Sequence, residues 1–211
     1  MHLIRSAALT TADAAPSWTA IVLTGGSGAR LGGQCKAEII LGGATLLEHV
    51  LRGLPVDIDV IVVGPAPSAP SRPVRVIRES PAGGGPVAGL AAALELVTTS
   101  IIGVIATDMP FASGLLTELA ANIPARADAL VPVDPTGYRQ SLCAAYRVAP
   151  LLRAVHLLGT VENASMRSIL GHLAVVETSV GGSADLLDID TPSDLDRSQA
   201  IMLGTKGASH G

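Results

Sequence analysis

At 211 residues, 48% hydrophobic, 15% charged and only 2% aromatic, the chain suits one domain whose core is built of Ala, Val, Ile and Leu rather than rings. A formal net charge of −4, with 14 Lys and Arg spread along the sequence, provides no basic stripe and argues against nucleic acid as a partner. Cys35 and Cys143 lie far apart without a C-x-x-C pair, which excludes a disulfide framework and a zinc site of ordinary spacing and fits a reducing cytoplasm.

Residues 1–17 read as a disordered extension, since the Ala-rich run after Arg5 is too short and too broken for a secretory h-region. Mean hydropathy is +0.49, yet Gly, Pro and charges interrupt every apolar run well short of the about 20 residues that span a bilayer, so no membrane partner is expected. Six β-branched runs read as strands: 19–24, 58–63, 74–78, 101–106, 129–133 and 142–147. Thr45-Leu46-Leu47-Glu48 predicts a capping box for a helix ending near Gly53 and Pro55. Pro65 to Pro73 reads as a stiff loop. Pro86, after three glycines, suits a first helical position, Ser113 suits a cap, and Thr191-Pro192-Ser193-Asp194 predicts the start of the final helix. Residues 18–200 are expected to form the domain and 201–211 a loose tail.

Strands alternating with helices predict an α/β, three-layer α/β/α Rossmann-like architecture, with an open, mostly parallel sheet covered on both faces. Its site is expected in the crevice at the carboxyl ends of the strands. The first strand runs straight into Leu23-Thr24-Gly25-Gly26-Ser27-Gly28-Ala29-Arg30-Leu31-Gly32-Gly33-Gln34-Cys35-Lys36. Five glycines in nine positions let the backbone approach a ligand and present N–H groups to phosphate oxygens, while Arg30 and Lys36 add positive charge. This reads as a triphosphate cradle. A Walker loop is excluded by the absence of Gly-Lys-Ser or Gly-Lys-Thr, and a dinucleotide fold by the lack of an acidic residue ending a second strand. Asp108, just past the fourth strand, is a candidate hard ligand for Mg²⁺, with a turn or N-cap Asp as the alternative. Asp190 suits either the metal and acceptor or a helix cap.

These segments together resemble the molybdenum cofactor guanylyltransferases, within the nucleotide-diphospho-sugar transferase type of fold. The loop is similar to that family's Leu-Ala-Gly-Gly, Arg-Met-Gly-Gly, Asp-Lys signature, with Thr24 for Ala and Cys35 for Asp. Gly85-Pro86-Val87-Ala88-Gly89-Leu90, Ala106-Thr107-Asp108-Met109-Pro110, Leu142-Cys143-Ala144-Ala145-Tyr146-Arg147 and Asp188-Ile189-Asp190-Thr191-Pro192 resemble its later motifs in order, from about Ala20 to Arg197. The resemblance implies GMP transfer from GTP to the phosphate of molybdenum-bearing molybdopterin, with Mg²⁺. It further implies transient contact with proteins that make or accept the molybdenum cofactor. Arg30, Lys36 and Asp108 would be catalytic, and Asp108 the metal ligand. Leu23, Thr24, Gly25, Gly26, Ser27, Gly28, Lys36, Glu79, Gly85 and Asp108 would bind nucleotide, with backbone N–H groups of residues 24–28 on the phosphates. Arg167, the one basic residue in a segment where the family carries an arginine, would face the acceptor together with Asp188 and Asp190. Cytidylyl transfer, sugar-phosphate nucleotidyl transfer and nucleotide binding without turnover are the alternatives.

Overall fold

The computed structural model describes residues 17–25, 35–180 and 185–208. The glycine-rich residues 26–34, among them Gly26, Ser27, Gly28 and Arg30, lie outside the described residues, as do 1–16.

Seven strands form one sheet: β1 (Trp18–Leu23), β4 (Asp59–Val63), β5 (Arg75–Ile77), β6 (Ile101–Ala106), β7 (Ala129–Val133), β8 (Cys143–Arg147) and β9 (Val175–Ser179). Their order is β5-β4-β1-β6-β8-β7-β9. All neighbours run parallel except β8, which is antiparallel to β6 and to β7. The sheet is therefore mixed but mostly parallel, as expected. A two-strand hairpin, β2 (Ile40–Leu41) with β3 (Ala44–Thr45), stands apart from it. The helices are α1 (Leu46–Gly53), α2 (Pro86–Leu94), α3 (Ser113–Ala121), α4 (Val148–Leu157), α5 (Met166–Leu170) and α6 (Pro192–Ala208). The last of these continues beyond residue 200, into the stretch read as a tail. Among the described residues no helix is long and apolar enough to cross a membrane.

Every residue of β1 and β6 is buried, because helices cover both faces. Alternation along β1 sends Trp18, Ala20 and Val22 into a cluster with Leu47, Val50 and Leu116 of α1 and α3. Ile21 and Leu23 point into the opposite cluster, with Leu90 of α2, Leu151 of α4 and Ile169 of α5. Gly103, mid-strand in β6, has a steric reason: a Cβ there would lie 2.7 Å from the Trp18 ring and 3.0 Å from Leu116. Tyr146 is wholly buried in the core and its hydroxyl donates to the Ser141 carbonyl at 2.7 Å.

Helix starts depart from expectation in two places. Thr45 Oγ1 accepts from Glu48 N at 3.1 Å, but the Glu48 carboxylate does not complete the box. It accepts instead from Arg52 Nε at 2.7 Å and Ser71 N at 3.2 Å, tying α1 to the Pro-rich loop. Ser113 does not cap α3: it is the first helical residue, the cap position is Ala112, and the buried Ser113 hydroxyl donates to Val50 O at 3.0 Å. A side chain buried against a neighbouring helix satisfies its hydroxyl there rather than on its own helix end. Pro86 does occupy the first turn of α2, behind Gly85 at φ 88°.

Candidate active site

β1 and β6 are adjacent parallel strands at the sheet centre, with Leu23 opposite Ala106. Their carboxyl ends therefore deliver Thr24-Gly25 and Thr107-Asp108 side by side. Thr107 N donates to Leu23 O at 3.1 Å and fixes that pairing one residue further. Leu23, read as a nucleotide contact, is buried, with its carbonyl held by Thr107. Gly25 is open: a Cβ there would meet nothing within 4 Å.

Lys36 opens a single 3-10 turn, Lys36–Glu38. Its Nζ donates to Asp108 Oδ2 at 2.8 Å and also to Asp190 Oδ1, so one ammonium joins residues 72 and 154 positions away. The Lys36 side chain is 12% exposed and that of Asp108 21%. Burial alone would lower the lysine pKa, but the hydrogen bonds and charges of Asp108 and Asp190 outweigh it and hold the ammonium above the usual lysine range. Lys36 is therefore a fixed positive charge at neutral pH.

The segment carrying Asp188 and Asp190 is anchored from three directions. Ile189 between them is wholly buried with Ile39, Leu41 and Leu46, and its N–H donates to Asp108 O at 2.9 Å. On the other side, Asp194 Oδ2 accepts from Thr191 N at 2.9 Å and Asp190 N at 3.2 Å, while Asp194 N donates to Thr191 Oγ1 at 3.3 Å. This reciprocal box is the predicted start of α6, and it also sets the backbone of Asp190. Asp190 thus borders the cap of α6 and also pairs with Lys36. Asp188 keeps solvent contact but is crowded by protein. That desolvation, then the charges of Asp108 and Asp190, pushes its carboxyl up to about 6.

One expected contact is overturned. Thr24 N, read as a phosphate donor, donates to Val63 O at 3.0 Å, and its hydroxyl donates to the same carbonyl at 2.7 Å. The hydrogen-bonding of β1 to β4 runs one residue past the strand and consumes that amide. Any backbone cradle therefore begins at Gly25.

Glu79 and Gly85 belong to the loop between β5 and α2. Glu79 Oε1 accepts from Gly83 N at 3.0 Å, which braces the loop. Asn163 N donates to Gly84 O at 2.7 Å and latches it to the segment before α5. Arg167 is exposed on α5, where it lines a pocket of about 800 Å³ that also includes Pro86. Cys35 packs against the core cluster under α1 and α3, with its carbonyl held by Glu38 N at 2.9 Å. Lys36 is oriented by Asp108 and Asp190 without a carboxylate at position 35.

A fixed cation held between carboxylates at the ends of the central strands of an α/β sheet suits a site that binds the phosphates of a nucleotide, the class of site found in nucleotidyltransferases. A family model described as the MobA-like NTP transferase domain matches residues 20–176, and the chain belongs to that family. A probable molybdenum cofactor guanylyltransferase of Natronomonas pharaonis is 28% identical over 198 residues, covering 86% of this chain and 96% of that protein. Another, of Trichormus variabilis, is 32% identical over 189 residues, covering 84% and 88%. The crystal structure of molybdopterin-guanine dinucleotide biosynthesis protein A from Archaeoglobus fulgidus superposes with a TM-score of 0.70 at 27% identity, over 88% of this chain and 99% of that one. A Thermus thermophilus 2-C-methyl-D-erythritol 4-phosphate cytidylyltransferase shares the fold, with a TM-score of 0.63 at 21% identity, over 86% and 97%.

Proposed function

We propose that this chain transfers GMP from GTP to the phosphate of molybdenum-bearing molybdopterin, forming molybdopterin guanine dinucleotide and pyrophosphate. The observation that carries the reading is the Lys36 ammonium held between Asp108 and Asp190 at the ends of β1 and β6. Guanylyltransferases of the molybdenum cofactor among the relatives that match most of the chain support guanine as the base and molybdopterin as the acceptor.

An acceptor phosphate oxygen attacks the α-phosphorus, a new P–O bond forms, the α–β bridging P–O bond breaks, and pyrophosphate leaves with that electron pair. Such transfers depend on positioning and charge neutralisation more than on covalent chemistry. Lys36 is suited to the negative charge that develops on the phosphates, since its partners keep it protonated and aimed. Arg30 would add a second cation from the glycine-rich loop.

The donor chemistry fits Mg²⁺. Asp108 and Asp190 converge on one cation, and the same two charges raise Asp188, so the cluster is rich in carboxylate oxygen. Mg²⁺ is commonly held by one or two carboxylates plus substrate phosphates, a requirement that Asp108 and Asp190 are of the right type to meet. Asp108 would hold it, with Asp190 adjacent, and the ion would supply further neutralisation of the phosphates.

Pyrophosphate release is the test, with the full chain, Mg²⁺, molybdopterin and either GTP or CTP. Release with GTP and not CTP is expected. Lys36→Met should then lower kcat by about 10²- to 10³-fold, the range for losing one preorganised charge-stabilising donor. Turnover with CTP alone, or a Lys36→Met enzyme as fast as wild type, would overturn the reading.

A further inference from the structure

The connection from β7 to β8 presents an exposed aromatic ring on a tightly pinned turn. Asp134 Oδ1 accepts from Thr136 N at 2.9 Å, Thr136 Oγ1 at 2.6 Å and Tyr138 N at 3.0 Å, and its Oδ2 accepts from Gln140 Nε2 at 3.3 Å. The backbone closes around it, with Asp134 N donating to Tyr138 O at 3.0 Å and Gln140 N to Pro132 O at 2.8 Å. The bonds from Thr136 and Tyr138 hold the Asp134 carboxyl below the usual carboxylate range, so this brace persists at mildly acid pH.

The turn spends all this hydrogen bonding to display Tyr138, which is 66% exposed in a chain with only four aromatic side chains. Trp18 and Tyr146, by contrast, are buried. Core packing does not explain an aromatic held out in this way. A ring on a rigid backbone offers a large flat contact at low entropic cost. The next side chain, Arg139, is fixed too: its Nε lies 2.7 Å and its terminal nitrogen 2.5 Å from Glu177 Oε1 on β9.

Both residues line the pocket of about 800 Å³ that Arg167 shares, together with the apolar Leu142, Met166 and Leu170. Its volume lies in the ordinary range for small-molecule sites. Pro86 and Asn163 also border it, and Asn163 is the residue that latches the Gly83 to Gly85 loop. The pocket therefore adjoins the expected nucleotide loop, with Ser141 and Leu142, just before β8, also on its wall.

We propose that Tyr138 and Arg139 recognise the acceptor: the Tyr138 ring stacks on a flat nitrogen heterocycle, and Arg139, aimed by Glu177, meets that heterocycle's hydrogen-bonding edge. Arg167 sits at the same pocket for the ligand's anionic groups. This assignment rests on the molybdopterin reading above and names the side chains that would deliver it.

The test uses the full chain and two binding titrations that need no turnover: 6-hydroxymethylpterin phosphate, followed by pterin fluorescence, and GTP with Mg²⁺, followed by calorimetry. Tyr138→Ala and Arg139→Ala should each weaken pterin binding about tenfold, within the range for losing one stacking or charged contact, and leave GTP affinity and thermal midpoint unchanged. Tyr138→Phe, which keeps the ring, should bind the pterin like wild type. Pterin binding lost in the Ala variants without any pyrophosphate release by wild type would defeat the guanylyl-transfer proposal and leave this pocket assignment standing. The assignment fails if wild type does not bind the pterin, if the Ala variants bind it unchanged, or if they lose GTP in equal measure.

Discussion

Thr24 and Gly64 meet at the edge of the site in a contact with little tolerance. Both donors of Thr24 converge on Val63 O, and Gly64 follows with φ 132°. A Cβ on Gly64 would lie 2.0 Å from Thr24 Oγ1, on a backbone conformation that L side chains rarely adopt. Gly64→Ala should therefore destabilise by at least about 3 kcal/mol, from strain and overlap together. Thr24→Ala alone should cost only about 1 kcal/mol, the net worth of one hydrogen bond. In the double variant the overlapping hydroxyl is gone and the strain remains. Urea denaturation of the four proteins should then show a favourable coupling of about 1 kcal/mol or more, and strict additivity would refute the contact. The sequence marks Thr24 by its place in the glycine-rich turn, but not that the neighbouring strand takes its amide. That depends on β4 lying beside β1, which no local pattern encodes. Lys36 and Asp108 stand out for the opposite reason, since a lysine closing a glycine-rich run and an aspartate just past a buried strand are recognisable by residue type, while their meeting in one ion pair is not.

At the scale of elements, the five largely buried strands β1, β4, β6, β7 and β8 announce themselves as β-branched runs. The exposed edge strand β5 is still marked by Val74, Val76 and Ile77, so six strands are recognisable to within one or two residues. The elements that escape such reading are short or marginal. β2 and β3 have two residues each, too few for alternation, and β9 at the sheet edge is only partly buried. The start of α6 is legible from Thr191 to Asp194, yet its consequence is not, because the box also places Asp190 on a lysine 154 residues away. Breaking the box should show both roles. Asp194→Ala is expected to lose about 1 kcal/mol, as for other helix caps. It should also slow pyrophosphate release by about tenfold through misplacement of Asp190. Ser193→Ala, which leaves the Thr191 to Asp194 bonds in place, should change neither. Loss of stability in Asp194→Ala with full activity would show that the cap does not position the site.

Across the whole molecule, the sheet order brings three distant segments, around 36, 108 and 190, to one place, and the cost is carboxylate crowding that a single lysine relieves in part. Asp188 records it, with a carboxyl pushed up to about 6 by desolvation and then by Asp108 and Asp190. An unfolded Asp titrates near about 4, so between about pH 4 and 6 the folded protein binds more protons than the unfolded chain. The contribution of Asp188 to stability is therefore most favourable below about pH 4 and is lost as pH rises through about 6. Other carboxylates titrate in the same window, so the difference between wild type and Asp188→Asn is the useful quantity. The thermal midpoint of Asp188→Asn should match wild type at pH 4, where Asp188 is itself protonated, and exceed it at pH 7.5. A difference that does not change with pH would refute the crowding. Lys36 opposes the upward shift of Asp188, so the pH 7.5 gain should be larger when Asp188→Asn is made in a Lys36→Met background. A smaller gain there would mean that the ammonium does not compensate this cluster.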